Sequence, residues 1–369
     1  MKRLSHIELA DRFSLLTVLF LAATGSIGLS ACAQEEPDHD MSGMAMEGMS
    51  MEGMAMEGMS HDGHQITPAI MEQLREKVPL YREYSDQEIR LSMQSMGPNY
   101  AAYVSDKNLV GEIAVLGLGH GFGDPGDKQF KDAFTSISKI FPTAVGYGMA
   151  MMTSSYIQSA VDELVSAGAE TIVVIPTSYA EYGKLTRQWG HIFGEDDEAS
   201  WLEVPRVETT AKVLMAPPLS DSPIIASIML DYALDMSTDE ENEIVIVASH
   251  GPVDMEVNRK ELALLENHAE IMRQDSDFSA IRVITLQDDA PRDIRAANVE
   301  KFRGWVETAT QEGKRVLIVS NLITTGSVQP KIRRDLAGLQ FQFNSKGLML
   351  HPAFEDWIQD SVRRELEKS

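Results

Sequence analysis

Gly111-Glu112-Ile113-Ala114-Val115-Leu116-Gly117-Leu118-Gly119-His120-Gly121 and Asn242-Glu243-Ile244-Val245-Ile246-Val247-Ala248-Ser249-His250-Gly251 are two short apolar runs that each end in His-Gly. Such a run, with β-branched members, suits the middle of a parallel sheet, where a strand is buried on both faces and a helix follows it. Ligands of open α/β sheets bind beyond the carboxyl ends of the strands, so both histidines are delivered to a place where chemistry occurs. The glycine after each lets the backbone turn tightly or approach a ligand. Repetition at an interval of about 130 residues predicts two related half-domains.

The flanks carry the same order twice. Residues 154–167 place Tyr156, Ile157, Ala160, Val161, Leu164 and Val165 on one helical stripe; Gly168 stops the helix, and residues 171–175 read as a buried strand. In the second copy, residues 293–311 carry Ile294, Phe302, Trp305 and Ala309, Gly313 stops the helix, and residues 316–319 repeat the strand. Strands alternating with long helices predict an α/β fold of two halves, each a mostly parallel sheet with helices on both faces. Residues 67–110 read as two helices, with Ile70, Leu74 and Val78 on one and Ile89, Leu91 and Met96 on the other. Residues 211–237 read as a strand and a buried helix joining the halves, so the expected half-domains are 67–240 and 241–369.

Three pieces of this pattern resemble the sirohydrochlorin cobaltochelatase and ferrochelatase family, the class II chelatases. They are the strand ending Gly117-Leu118-Gly119-His120-Gly121, the strand Ile172-Val173-Val174-Ile175-Pro176 before a loop reaching Gly183, and Gly347-Leu348-Met349-Leu350-His351-Pro352 ahead of a final helix. The resemblance covers roughly residues 110–369. It implies a lyase that inserts a divalent metal ion (Co, Ni or Fe) into a sirohydrochlorin-type tetrapyrrole held in the cleft between the halves. It also implies that His120 works with a second histidine following a glycine after the third strand. Here that position is Leu185, and its counterpart in the second half is Val328. The nearest substitute is His191, with Glu181 as a carboxylate partner.

The residues support such chemistry. A neutral imidazole binds an incoming divalent ion and accepts a pyrrole proton near physiological pH, and cobalt, nickel and iron all accept imidazole and oxygen ligands. His120 and Glu181 are therefore the catalytic candidates, and His120 and His191 the metal ligands. Residues 321–331 of the second half hold neither His nor carboxylate, which places the expected folded site in the first half.

Lys2, Arg3 and Arg12 precede an apolar stretch from Phe13 to about Ala23, then small residues and Leu29-Ser30-Ala31-Cys32. This resembles a bacterial lipoprotein signal over residues 1–31, with Cys32 lipidated and the protein facing the periplasm. Ala33 after the cysteine favours the outer membrane by resemblance to sorted lipoproteins. Cys32 is the sole cysteine, so no internal disulfide forms. The net charge of −24 offers no basic face for phosphates, which argues against nucleic acid and for cations as partners.

Residues 32–66 form a polar, glycine-containing tail whose centre, residues 41–60, is four tandem five-residue units. Their methionines are Met41, Met44, Met46, Met49, Met51, Met54, Met56 and Met59, with His61 and His64 beyond. A flexible linker has no need of methionine, whereas thioethers are soft ligands that select Cu(I). The tail is therefore expected to bind copper. Two function classes follow: a membrane-anchored chelatase, or a non-catalytic lipoprotein that captures or delivers copper on the same scaffold. Replacing Cys32 with Ala is expected to abolish lipid attachment, read as loss of the acyl mass and release from the membrane fraction. Unchanged fractionation and mass would refute the lipoprotein reading.

Overall fold

The computed structural model describes residues 66–95, 99–326 and 328–369. The signal-like segment, Cys32, the methionine repeats, His61 and His64 lie outside the described residues. Helices α1 (Pro68–Lys77) and α2 (Asp86–Ser95) precede a short strand β1 (Tyr100–Tyr103). The first sheet continues through β2 (Ile113–Gly119), α3 (Gly126–Ala133), β3 (Thr143–Tyr147), α4 (Ser155–Ser166), β4 (Thr171–Pro176), α5 (Lys184–Phe193) and β5 (Lys212–Met215). Helix α6 (Pro223–Leu234) leads into β6 (Glu243–Ser249), α7 (Met255–Gln274), β7 (Ala280–Thr285), α8 (Arg292–Gln311), β8 (Arg315–Asn321), α9 (Val328–Asp335), β9 (Gln342–Asn344) and α10 (Ala353–Lys368). Strand order is β1-β3-β2-β4-β5 in one sheet and β7-β6-β8-β9 in the other. Every pairing is parallel except that of β1 with β3. Among the described residues no helix is long and apolar enough to cross a membrane.

The two His-Gly runs are β2 and β6, each hydrogen-bonded on both sides. Their residues alternate between two apolar layers, as fully buried strands must. Ala114, Leu116 and Leu118 pack against the expected stripe of α4, namely Tyr156, Ile157, Ala160, Val161 and Leu164. Ile244, Ile246 and Ala248 pack against Phe302, Val306 and Ala309 of α8. The opposite faces meet in one shared layer: Val115, Val173 and Ile175 of the first sheet and Val245, Val247, Leu317 and Val319 of the second join α6, α7 and α10. Ser222 caps α6 by accepting from the N–H of Ile224, and Asp254 caps α7 by accepting from that of Val257 at 2.9 Å, supplying partners for otherwise orphaned amides.

The structure adds elements that the sequence reading passed over. Residues 67–110 hold the two expected helices and also β1, whose Tyr100 stacks on Tyr147 of β3 with ring centroids 4.5 Å apart. Strand β3 is short and contains Gly146, β7 is interrupted by Arg282, and α3 spans only two turns with Phe130 as its one large apolar residue, so each offers a short signal. Leu185 and Val328 pack at the margins of apolar clusters.

A hydrogen bond ties the halves together under the shared layer. The hydroxyl of Tyr179, after β4, shares a hydrogen bond of 3.1 Å with Nδ1 of His268 on α7. Burial pushes the His268 imidazole down to about 4. Its unfolded value lies near 6.5, so between those two pH values the unfolded chain binds more protons and stability rises with pH. As pH falls from about 6.5 to 4 the wild type is expected to lose roughly 3 kcal/mol through this residue. His268→Gln should flatten that part of the profile, read as urea midpoints at pH 6.5 and 4.5; an identical slope in the variant would overturn the assignment.

Candidate metal centre at the carboxyl ends of the strands

His120 and His250 leave the ends of β2 and β6 with the same backbone device. Each is followed by a glycine in the left-handed region, Gly121 with φ 79° and Gly251 with φ 73°. Each ring places Nδ1 against the carbonyl of that glycine, at 2.6 Å for His120 and 3.0 Å for His250. In the tautomer with its proton on Nδ1, such a carbonyl contact leaves the Nε2 lone pair free to act as a ligand. A side chain at 251 is excluded twice over, by the positive φ and because a Cβ there would stand 2.5 Å from Cβ of Thr285.

The surroundings of the two rings differ. His120 lies against the Phe122 ring at 4.3 Å, and burial pushes its imidazole below the ordinary range, with the charge of His250 adding to the shift. The loop that carries it is pinned by Asp127, whose carboxylate accepts from the N–H of Phe122 at 2.6 Å and the hydroxyl of Tyr100 at 2.8 Å. His250 instead meets acid. Its Nε2 lies 3.4 Å from Asp289, and although burial alone would lower this imidazole, the hydrogen bond and charge of Asp289 hold it above the ordinary range.

Among the described residues one group of three His, Cys, Asp or Glu donors lies within 4.8 Å of one another: His250, Asp288 and Asp289. They are not equivalent. The Asp288 side chain is almost fully buried; its oxygens are taken by Arg295 at 2.8 Å and by Lys331, so it braces the loop. Asp289 is exposed and has His250 as its partner, so an arriving ion finds its carboxylate accessible. The turn that aims them passes through Gln287, a non-glycine residue at φ 49° whose amide donates to the carbonyl of Pro252 at 3.0 Å. Such strain at a ligand-bearing turn is held by the surrounding contacts.

The sequence candidates are placed as follows. His120 stands at the strand end as expected. Glu181 is exposed in the loop after β4. His191 is buried on α5 with Nε2 3.2 Å from Glu203, and its Nδ1 has no hydrogen-bond partner. Neither belongs with His120 to a three-donor group. Residues 321–331 hold no carboxylate, as the sequence shows; the carboxylates grouped with His250 come instead from the loop after β7. The signal was present as Asp288-Asp289, two residues beyond the apolar run ending in Leu286, in the loop that follows a strand as the histidines do.

No family model matches the sequence, and no curated protein matches it. The fold is similar to that of SirB from Bacillus subtilis, solved with Fe3+, at 15% identity and a TM-score of 0.52, over 69% of this chain and 96% of that one. It is also similar to CbiX, described as the terminal enzyme for biosynthesis of siroheme in denitrifying bacteria, at 16% identity and a TM-score of 0.44, over 68% of this chain and 98% of that one. A multi-domain protein of Deinococcus radiodurans with structural similarity to chelatases matches at 14% identity and a TM-score of 0.45, over 68% of this chain and 55% of that one. The chain therefore has the α/β fold of the chelatase-like proteins, two mostly parallel sheets flanked by helices.

Replacing Asp289 with Asn removes the charge that raises His250 and leaves burial to dominate. The His250 imidazole is then expected to titrate below the ordinary histidine range, read from its ring resonances by NMR; an unshifted titration would show that Asp289 does not act on it.

Proposed function

We propose that the protein takes a divalent metal ion of the cobalt, nickel or iron class into the cleft at the carboxyl ends of its two sheets and inserts it into a sirohydrochlorin-type tetrapyrrole. The observation that carries this reading is the pairing of His250 Nε2 with the exposed Asp289 carboxylate at 3.4 Å, at the strand end equivalent to the one that carries His120. An imidazole and a carboxylate suit these borderline ions. Insertion also releases two pyrrole protons for each ion that enters. His120, kept neutral by its burial, is suited to accept one of them. The likeness in fold to SirB supports the same reading.

The signal-like sequence ending at Cys32 supports a lipid-anchored position facing the periplasm. From there the methionine-rich segment would collect copper ahead of the folded part. A second reading, capture or delivery of metal without insertion, is favoured by Leu185. A half-buried apolar side chain at the margin of an apolar cluster stands where the family resemblance calls for a second histidine.

Calorimetric titration of the full chain with Co²⁺ tests the site. Asp289→Asn is expected to weaken binding on the order of tenfold or more, and His250→Ala at least as much. Unaltered affinity in both variants would overturn the assignment of the site. A purified wild type that inserts Co²⁺ into sirohydrochlorin no faster than the uncatalysed reaction would leave the capture reading in its place.

A further inference from the structure

The face of α7 that meets the shared layer changes character towards its N-terminal end. Met272, Ala269 and Leu265 are apolar and buried, and one and two turns before Leu265 the same stripe presents Glu261 and Asn258. Both are buried as well, at 9% and 6% exposure. Opposite them, the inward phase of three strands ends in polar residues: two positions beyond Val247, Val283 and Val319 come Ser249, Thr285 and Asn321. Ser249 is the register partner of both Thr285 and Asn321, so the three side chains leave one face of the sheet from strands about 5 Å apart.

Printed contacts join helix to strand ends at two points. Glu261 Oε1 lies 3.3 Å from the Ser249 hydroxyl. A Cβ on Gly251 would stand 3.0 Å from Oδ1 of Asn258 and 2.5 Å from Cβ of Thr285, which sets that amide carbonyl against the same strand ends. Yet Oδ1 of Asn258 and both amide atoms of Asn321 have no hydrogen-bond partner among the described residues, where nearly every buried polar atom has one. The duplicate place in the first half is filled. A Cβ on Gly119 would meet Phe122 and Phe130 at 2.9 and 3.2 Å, and the Thr177 hydroxyl donates to the carbonyl of Leu118 at 2.6 Å.

The geometry points to a buried site for one alkali-metal cation of the Na⁺ class, held by the Glu261 carboxylate, the Ser249 hydroxyl and the side-chain carbonyls of Asn258 and Asn321. All four donors are oxygens, which suit a hard ion rather than the borderline ions that favour imidazole. The single carboxylate balances a single positive charge, whereas a divalent ion would leave excess charge buried. A lone water molecule fits less well, because its two protons cannot serve a carboxylate and two carbonyls. The site shares no donor with His250 and Asp289, and it stands whether or not the cleft inserts a metal into a tetrapyrrole.

The test compares unfolding of the full chain in NaCl and in choline chloride at equal ionic strength, in mildly alkaline buffer. Binding to the folded state alone is expected to stabilise the protein saturably in Na⁺, the ratio of folded to unfolded chain rising about tenfold when Na⁺ stands at about ten times its dissociation constant. Glu261→Gln, uncharged and nearly isosteric, should abolish the difference between the salts. Asn321→Ala should diminish it, which keeps the test open should Glu261→Gln fail to fold. Asp289→Asn should retain it, since that carboxylate belongs to the other site. Equal stability of the wild type in the two salts would overturn the proposal and leave the cluster to water. A difference that survives in a folded Glu261→Gln, or stands undiminished in Asn321→Ala, would overturn it by placing the ion elsewhere, as would its loss in Asp289→Asn.

Discussion

The apolar layer shared by the two sheets is the constraint from which the rest follows. Val115, Val173 and Ile175 from one sheet and Val245, Val247, Leu317 and Val319 from the other bury against the same helices, so neither sheet covers its inner face alone. Burial of this kind contributes roughly 25 cal/mol for each Å² of apolar surface removed from water, and it is lost if the halves separate. Joining the inner faces also brings two sets of strand ends together. Thr324, after β8, lies 3.6 Å from where a Cβ on Gly126 would be, just beyond the His120 turn. The loops at these ends take part in joining the halves as well, through Tyr179 and His268.

The sheet centres were legible for the same reason. Strands β2, β4, β6 and β8 are buried on both faces, so their sequences are continuous apolar runs with little else they can be. The edges were not. Strand β1 consists of four half-buried residues, and its pairing with β3 depends on tertiary placement that no local period announces. Helix α7 hides in a sequence rich in charge because one narrow stripe, including Leu265, Ala269 and Met272, meets the core. The site divides likewise. Both histidines were legible because strand-His-Gly is local in sequence, whereas Asp289 reaches His250 from across a strand and a long helix. The role of Glu203 beside His191 was likewise invisible, since that contact is made only by folding.

Below the histidines the two halves have diverged in the layer that supports them. Under His120 the first half is aromatic: Phe122, Phe130 and Tyr147 follow one another with centroids 5.5 and 5.4 Å apart. Under His250 the second half is polar. Thr285, Ser249 and Asn321 stand side by side at the ends of β7, β6 and β8, and Glu261 of α7 lies 3.3 Å from the Ser249 hydroxyl. Burial raises the Glu261 carboxyl above its usual range, while Ser249 and His250 pull in the opposite direction. Both amide atoms of Asn321 and the Asn258 carbonyl are buried without a hydrogen-bond partner, a cost that an apolar layer avoids.

That divergence gives two identical backbone turns opposite proton affinities. His120, buried against an aromatic ring, is pushed towards the neutral form, and His250, held by Asp289, is pushed towards the charged one. Groups whose environments drive their titrations apart are suited to divided roles in proton transfer.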